Sequence, residues 1–272
     1  MNLENYFIRQ FKNVHIGDDG AFIDGFVYSK DAFFENVHFK KEWMSYFDIA
    51  RKAMLVNISD AVAMNAKPKY VLLSVAMPKS MTKDDMQQLA NGFKSVADMY
   101  QLEIIGGDTI ANTKLDITVT VISTTKNPLL RVGVRHGHLF AYTGNLGKSS
   151  KDLQKLFNGG KINSHSKFIN IVLREKFISK TRRLLQAGMD ISDGLYSDLD
   201  KMAQSNGIGF KFLYKIPKRV ACSGEEYEML IAFDKRYKKA LIRHARQTRT
   251  PLKVFAKATR NRYTNRCKAH HF

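Results

Sequence analysis

The chain has 272 residues, enough for about two domains of ordinary size and for a hydrophobic core that needs no disulfide or metal to support it. With 44% hydrophobic and 25% charged residues, 17 glycines and 5 prolines, the composition excludes a disordered chain and a fibrous repeat. The net charge of +19 suggests nucleic acid or an anionic membrane as a partner, and the motifs have to support or exclude that suggestion.

The two cysteines, Cys222 and Cys267, are too few for a disulfide framework and have no Cys or His neighbour at zinc-finger spacing. They predict reduced thiols and a cytoplasmic protein. The segment from Met1 to Phe11 lacks the apolar stretch of a targeting signal, and the most apolar run, Tyr70–Met77, is too short to cross a bilayer. We therefore expect neither a targeting segment nor a membrane span.

The first half of the chain alternates strand-like with helix-like segments, which is typical of an α/β fold. Runs rich in β-branched and aromatic residues predict strands, and runs with helical periodicity predict helices. In chain order the predicted elements are a strand at Phe26–Ser29, a helix at Phe47–Ala66, a strand at Tyr70–Met77, a helix at Thr82–Tyr100, and strands at Leu102–Ile105 and Leu115–Ser123.

A connection follows at Pro128 and the basic stretch Arg131–His138, and we place a domain boundary between residues 135 and 136. The two units, residues 1–135 and 136–272, predict a two-domain fold of the α/β (α+β) class. Beyond the boundary the sequence predicts a strand at Leu139–Thr143, a polar stretch at Asn158–Ser166, a helix at Leu195–Ser205, a strand at Met229–Phe233 and a basic tail.

Acidic residues are scarce in this chain, and ten of the 25 lie in six short motifs. Any one Asp-Gly pair is explained equally well by a turn. Three of the motifs, however, lie at the ends of predicted elements: Asp31 and Asp108 stand where predicted strands end, and Asp190–Gly194 precedes the helix that starts at Leu195. In α/β folds, ligands bind at strand ends. The neighbouring glycines allow backbone N–H groups to approach phosphate oxygens. The motifs are Gly17–Gly20, Ser29–Asp31, Ser59–Asp60, Gly106–Thr109, Asp190–Gly194 and Gly224–Glu228.

Asp60 lies inside the apolar helical run Ala53–Met64. A carboxylate buried there is costly unless it is paired or bound to a metal; the alternative is that it lies on a solvated face of the helix. Mg²⁺ prefers oxygen ligands and is held by a few carboxylates per ion, so several separated aspartates indicate more than one ion. The pattern predicts Mg-nucleotide chemistry.

Two further features are weak by themselves. Gly144–Ser149 has the Gly-Lys-Ser end of a P-loop, but two residues rather than four separate its glycines, so it predicts a strand-to-helix turn. His38 is typical of a surface or core histidine, and only its position shortly after Asp31 connects it with the acidic motifs.

Taken in order, the motifs resemble those of the thiamine-monophosphate kinase family, within the superfamily of aminoimidazole ribonucleotide synthetase and selenophosphate synthetase. The resemblance spans most of the chain, and the long Asp60 segment followed by Gly-Gly-Asp-Thr is its most specific part. The matching text is Gly17-Asp18-Asp19, Asp31 with His38-Phe39, Lys52 to Met64, Gly106-Gly107-Asp108-Thr109, Asp190 to Gly194, and Gly224 to Glu228.

The resemblance implies ATP- and Mg²⁺-dependent phosphorylation of thiamine phosphate to thiamine diphosphate by direct in-line transfer. It also implies a fold that dimerises through its N-terminal domain. By resemblance, several Mg²⁺ ions are held by Asp19, Ser29, Asp31, Asp60, Asp108, Asp190 and Asp193. ATP would contact Gly107, Asp108, Arg131 and Ser192, and thiamine phosphate would contact His38 and Glu225.

The chain departs from the family pattern at a few positions. At Lys30 the family has a small hydroxyl residue that helps to bind metal, and a charged lysine cannot ligate Mg²⁺. Ser223 and Glu226 stand where the family has Gly and Asp. The end of the chain, Lys268 to Phe272, lacks in register the aromatic residue that would stack on the substrate.

Two other functions compete with this one. Another ATP-using enzyme of the same superfamily would share the metal motifs and differ in its acceptor. A basic nucleic-acid-binding protein would use the tail Arg243–Lys268, in which Phe255 and Tyr263 stand among arginines and lysines. Because basic residues are spread along the whole chain and no recognised nucleic-acid module is apparent, we expect no nucleic-acid partner.

Overall fold

The computed structural model describes residues 3–11 and 13–268, and in this part of the chain ten strands form two five-stranded sheets with helices packed on them. The predicted mixed fold of the α/β (α+β) class is confirmed. Most of the C-terminal segment that differs from the family pattern, residues 269–272, lies outside the described residues.

The first half of the chain forms the first sheet, in the strand order β1-β2-β5-β3-β4. Strands β3 and β4 are parallel, which requires a crossover, and α3 supplies it; the other neighbours are antiparallel. The elements are α1 (Leu3–Ile8), β1 (Ala21–Ile23), β2 (Phe26–Phe34), α2 (Tyr46–Ala63), β3 (Lys67–Pro78), α3 (Lys83–Tyr100), β4 (Glu103–Asn112) and β5 (Asp116–Thr124), with a 3₁₀ turn at Lys41–Trp43.

The second half forms the second sheet, in the order β7-β9-β6-β10-β8, and all of its neighbouring strands are antiparallel. Its elements are β6 (Leu139–Thr143), α4 (Lys148–Phe157), α5 (Glu175–Thr181), β7 (Ala187–Asp190), α6 (Leu195–Asn206), β8 (Gly209–Phe212), α7 (Lys218–Ala221), β9 (Met229–Phe233), α8 (Lys238–Gln247) and β10 (Leu252–Thr259), with 3₁₀ turns at Arg182–Leu184 and Lys235–Tyr237.

Helix α2 contacts both sheets, because it packs on β2, β3 and β5 of the first sheet and on β7 of the second. The side chain of Ser45 caps its start by accepting a hydrogen bond from the N–H of Asp48. In β2 and β5 every second residue is buried toward α2, as at Val27 and Val119, while the alternate positions lie on the outer face of the sheet.

Residues from the second half of the sequence also complete the core of the first sheet. Phe168, Ile169 and Ile171, between α4 and α5, are buried in that core, and Ala63 of α2 is buried in a core formed with the second sheet. The boundary between residues 135 and 136 lies in the segment that joins the sheets, and the division into two domains remains a prediction.

The predicted elements are confirmed where their pattern is long: both predicted helices of the first half and the strands at 70–77, 115–123, 139–143 and 229–233 are present. The expected strand ends are wrong, because Asp31 lies within β2 and Asp108 within β4. Gly106 and Gly107, with φ of +151° and +148°, accommodate a bulge opposite β3, so β4 continues past them.

The basic tail is part of the fold. It contains the end of α8 and the whole of β10, which lies between β6 and β8 in the second sheet. Phe255 is fully buried, and the Tyr263 ring packs edge-on against Phe210 at 5.1 Å between centroids. Both aromatic residues therefore fill the core rather than offer faces on which bases could stack.

Cys222 and Cys267 form a disulfide, with their Cα atoms 5.5 Å apart, so the prediction of two reduced thiols is wrong. The two residues are 45 positions apart in the sequence, and their pairing depends on tertiary contacts that spacing does not reveal. The bond ties Cys267 to the segment just before the motif Gly224–Glu228.

Within residues 3–11 and 13–268, no helix combines the length and the apolar character needed to span a bilayer.

Reduction of the disulfide should lower the melting temperature. A cross-link between residues 45 apart stabilises a protein by about 4 kcal/mol in the chain-entropy account. We expect dithiothreitol to lower the melting temperature of the protein in differential scanning fluorimetry and to leave that of Cys222→Ser/Cys267→Ser unchanged. Equal melting temperatures for oxidised and fully reduced wild type would contradict the expectation.

Candidate active site

Three carboxylates from distant parts of the chain meet where α2 approaches the second sheet. Asp19 lies in the turn before β1, Asp60 in the last turn of α2, and Asp190 at the end of β7. One oxygen of each lies within 4.8 Å of the others. The structure therefore brings together three of the predicted metal ligands.

Arg131 holds the first of these residues in place. Its guanidinium group forms an ion pair with Asp19 through Nη2 and donates a second hydrogen bond from Nε at 3.2 Å. Its backbone N–H donates to Asp18 Oδ1 at 2.6 Å. Arg131, predicted to contact ATP, thus also fixes the turn that carries Asp19.

Burial and mutual repulsion shape the electrostatics of the cluster. Burial, reinforced by the charges of Asp31, Asp190 and Asp19, raises the pKa of Asp60 well above its usual value. Burial also raises the pKa of Asp190, although Ser59 Oγ donates a hydrogen bond to Asp190 Oδ2 at 2.6 Å and favours the ionised form. Closely spaced carboxylates of this kind are stabilised by a cation.

The cluster fits Mg²⁺. Fully ionised, the three carboxylates would carry three negative charges, of which the Arg131 guanidinium offsets one. Asp19 Oδ2 is buried and has no hydrogen-bond partner among the described residues. Because Mg²⁺ prefers carboxylate oxygens, this buried oxygen and the excess negative charge match the predicted metal.

Ser29 and Asp31 lie beside the cluster on the face of β2 that is turned toward α2. Asn57 of α2 connects them: its side-chain Oδ1 accepts a hydrogen bond from the N–H of Asp31 at 2.7 Å, and its carbonyl oxygen accepts one from Ser29 Oγ at 3.4 Å. The Asn57 amide nitrogen in turn donates to the carbonyl of Ala53 at 2.8 Å. This buried asparagine therefore sets the position of both predicted ligands.

Asp108 lies elsewhere, on the exposed outer face of the first sheet. It pairs in register with Ser74, which pairs with Thr118, and these positions alternate with the buried ones that face α2. Its carboxylate accepts a hydrogen bond from the N–H of Thr109. Gly107 is required for strand pairing, because a Cβ there would lie 1.5 Å from the carbonyl oxygen of Leu73.

Lys30 also lies on the outer face, where its Nζ donates to Thr118 Oγ1 at 3.4 Å. It is therefore turned away from the face of β2 that carries Ser29 and Asp31.

Asp193 belongs to a second charged group at the start of α6. Lys201 Nζ donates to Asp193 Oδ2 at 2.6 Å and to Asp198 Oδ1 at 3.0 Å. Asp198 is buried, and burial raises its pKa to about 6. Lys201 thus supplies a positive charge next to a predicted metal ligand.

The predicted substrate residue Glu225 lies on a loop that pairs with the segment after β7. The N–H of Glu225 donates to the carbonyl of Ser192 at 2.7 Å, and the N–H of Tyr227 donates to the carbonyl of Ile191 at 2.8 Å. Glu225 and Tyr227 have φ of +53° and +48°, a left-handed conformation that costs about 1–2 kcal/mol per residue. This backbone pairing brings Glu225 next to Ser192 and close in the fold to Asp190.

The two departures from the family pattern in this loop contact each other. Ser223 Oγ donates to Glu226 Oε1 at 2.5 Å, and the N–H of Gly147 donates to the same oxygen at 2.6 Å. Lys167 Nζ completes the group by pairing with Glu226 Oε2 at 2.7 Å. The buried glutamate is therefore fully paired and stabilises the loop that carries Glu225.

His38 has a defined orientation. Its Nδ1 accepts a hydrogen bond from the N–H of Phe34 at 3.0 Å, and its ring stacks on Phe33 at 5.6 Å between centroids. The neutral imidazole therefore carries its proton on Nε2, which makes that atom a donor.

Several residues of the site escape sequence reasoning about acidic motifs. The clearest available signal is in α2, where polar side chains interrupt a helix that is otherwise buried and apolar. Lys201 and Asp198 carry no comparable signal, because charged residues spaced three apart are ordinary on helices. The residues to which the sequence assigned no role are Lys52, Asn57, Ser59, Asp198 and Lys201.

Neutralising Asp60 should change the response of the protein to pH and to Mg²⁺. Because its pKa is raised in the folded state, the folded protein binds protons more tightly than the unfolded chain, so stability falls as pH rises above about 4. In EDTA, we expect the melting temperature of Asp60→Asn to fall less than that of wild type as the pH rises above about 4. We expect Mg²⁺ to raise the melting temperature of wild type at neutral pH more than that of the variant.

Asp98→Asn, an exposed carboxylate of α3, is the control and should behave as wild type. Identical pH and Mg²⁺ responses of wild type and Asp60→Asn would show that the cluster binds no cation.

The family model described as AIR synthase related protein, N-terminal domain, matches residues 17–125. The thiamine-monophosphate kinase of Buchnera aphidicola subsp. Schizaphis graminum is 33% identical over 257 residues, which cover 83% of this chain and 78% of that protein. That of Bacillus subtilis is 32% identical over 223 residues, which cover 74% and 67%. The fold is similar to that of AaThiL complexed with AMPPCP and TMP, with a TM-score of 0.85, 22% identity, and coverage of 96% of this chain and 91% of that one. This chain belongs to the thiamine-monophosphate kinase family.

Proposed function

We propose that this protein transfers the terminal phosphoryl group of ATP to the phosphate of thiamine phosphate, which yields thiamine diphosphate and ADP. The observation that carries the proposal is the position of the Asp19–Asp60–Asp190 cluster next to the loop of Glu225, in a chain 33% identical to a thiamine-monophosphate kinase. A cation site beside a loop predicted to bind the acceptor is the arrangement that phosphoryl transfer requires.

Several Mg²⁺ ions belong to this proposal. Bound Mg²⁺ neutralises phosphate charge and stabilises the charge that develops during transfer. Asp19, Asp60 and Asp190 offer oxygens within 4.8 Å of one another, and Asn57 presents Ser29 and Asp31 beside them. The proposed ligands on this side of the sheet are Asp19, Ser29, Asp31, Asp60, Asp190 and Asp193. Asp108, on the outer face of the first sheet, is proposed to hold an ion apart from them.

The side chains of the protein bind and orient the two substrates. Arg131 and Ser192 contact ATP, together with Gly107 and Asp108 of β4. His38 donates a hydrogen bond from Nε2 to thiamine phosphate, and Glu225 accepts one from it. The attacking group is a phosphate oxygen that is already anionic, so transfer can proceed in line without a general base.

The net charge of +19 favours the same substrates. Both ATP and thiamine phosphate carry phosphate, and a positive protein attracts anions and raises their rate of encounter. The acidic cluster is a local region of negative charge on this positively charged protein, and bound cations would neutralise it.

A homodimer is the proposed assembly, formed through the outer face of the first sheet. This face holds exposed apolar side chains at Phe26, Tyr28, Tyr70, Leu72 and Ile110. Strand β4 lies at the edge of the sheet, and Asp108 lies on the same face. A second copy of the chain would cover the apolar residues and enclose the surroundings of Asp108.

The remaining assignments follow from the same reaction. Residues 1–135 form the domain that dimerises and contributes most of the metal ligands, and residues 136–272 form the domain that completes the site. The enzyme works in the cytoplasm, where ATP is supplied. In that compartment cellular thiols would act on the Cys222–Cys267 disulfide.

The direct test is to incubate the purified protein with Mg-ATP and thiamine phosphate and to measure thiamine diphosphate by chromatography. We expect product from wild type and a loss of at least about 100-fold in turnover for Asp60→Asn and for Asp108→Asn, because each removes a charged oxygen ligand. Asp98→Asn should retain wild-type turnover.

A folded, dimeric wild type that makes no thiamine diphosphate would refute the proposed acceptor. ADP release without this product would mean that the phosphoryl group is transferred to water, so that thiamine phosphate is not the acceptor. Near-normal turnover of either aspartate variant would remove that residue from the metal site.

The dimer can be tested separately by light scattering. We expect Tyr70→Glu to shift the mass from dimer to monomer, because it places a charge in the proposed apolar interface. Met86→Glu, which changes an exposed methionine of α3, should remain dimeric. A monomeric wild type would refute the proposed assembly.

A further inference from the structure

Lys52 is a fully buried lysine whose charge is used in one contact between the two halves of the chain. It lies in α2, and its Nζ donates to Glu225 Oε2 at 2.9 Å. The same Nζ lies 3.4 Å from the centroid of the Phe168 ring and 5.7 Å from that of Phe33. An aromatic pair thus encloses the ammonium group and leaves it directed at Glu225.

Burying the charged Lys52 ammonium group costs desolvation free energy. Burial lowers the pKa of Lys52, and the Glu225 carboxylate opposes that effect. Replacing both partners of a buried ion pair by apolar residues of similar volume is often neutral or stabilising, so such a pair is weak evidence for a role in stability. The contact has a more specific effect, which is to restrict where the Glu225 carboxylate lies.

Glu225 is otherwise held only through its backbone, within the described contacts of the loop. Its N–H is bound to the carbonyl of Ser192, and its side chain remains 23% exposed. Without Lys52, this solvated carboxylate would sample several rotamers. With Lys52 bound to Oε2, the carboxylate is oriented before any ligand arrives, and this preorganisation lowers the entropic cost of binding.

Phe33 connects the Lys52–Glu225 pair with His38. Phe33 stacks on His38 on one side and lies near Lys52 on another. The two residues predicted to contact thiamine phosphate, His38 and Glu225, are therefore oriented by one cluster, formed by Phe33, Lys52 and Phe168.

We propose that Lys52 is a positioning residue that orients Glu225 and thereby sets the affinity for thiamine phosphate, without contact with ATP or the metal cluster. This inference rests on the proposed function. Lys52 acts through Glu225 alone, and the aromatic faces of Phe168 and Phe33 hold its ammonium group in place.

The test is the substitution Lys52→Met, which keeps the length of the side chain and removes its charge. We expect the Kd for thiamine phosphate, measured by calorimetry without ATP, and the KM for thiamine phosphate to rise about tenfold or more. The KM for ATP should stay within about twofold, since Lys52 contacts no residue predicted to bind ATP. Lys94→Met, on the exposed face of α3, is the matched control and should equal wild type.

A double variant separates positioning from a general structural effect. If Lys52 acts only through Glu225, Lys52→Met/Glu225→Gln will bind thiamine phosphate no more weakly than Glu225→Gln alone. Additive losses, an equal rise in the KM for ATP, or an unchanged Kd for thiamine phosphate would each overturn the proposal. Wild type that binds no thiamine phosphate would refute the proposed function itself, which makes the two failures distinguishable.

Phe168→Leu provides an independent variant that retains an apolar side chain and removes the ring face against Lys52. It should raise the Kd for thiamine phosphate and leave the KM for ATP unchanged. An unchanged Kd would overturn the proposal, including in the event that Lys52→Met does not fold.

Discussion

Negative charge concentrated in a small volume is the constraint on which the site depends. Asp19, Asp60 and Asp190 repel one another, and burial raises the pKa of Asp60 and Asp190 further. Structure opposes this repulsion from several directions: Arg131 pairs with the first carboxylate and Ser59 donates to the third. Extensive apolar packing around α2 offsets the free-energy cost of this repulsion, because it holds in place the elements that carry these residues.

Helix α2 is where the two halves of the molecule are joined chemically as well as by packing. Within one stretch of this helix, Asn57 binds the backbone and side chain of β2 residues, Ser59 binds Asp190 of β7, and Lys52 binds Glu225. Each of these three polar residues thus has a separate partner. A purely apolar helix would pack equally well and would orient none of these groups.

Sequence reasoning predicted the long elements because hydrophobic periodicity and burial agree there, as in α2 and β5. The acidic motifs were visible because acidic residues are scarce, and Asp60 stood out inside an apolar helix. Strand ends were misplaced at Asp31 and Asp108, since glycine and aspartate favour turns locally and pairing with a neighbouring strand overrides that preference. The Cys222–Cys267 pair and the partners of Glu225 depend on contacts between distant residues, which a single sequence does not display.

The shared core has a consequence for how such chains can be recombined. Phe168, Ile169 and Ile171 follow the sequence boundary by more than thirty residues, yet they pack against the first sheet. A chimera joined at residue 135 would combine an N-terminal sheet from one parent with core side chains from another. In a compatible hybrid, the segment between α4 and α5 would have to come from the same parent as the N-terminal half, although the two are not contiguous in the sequence.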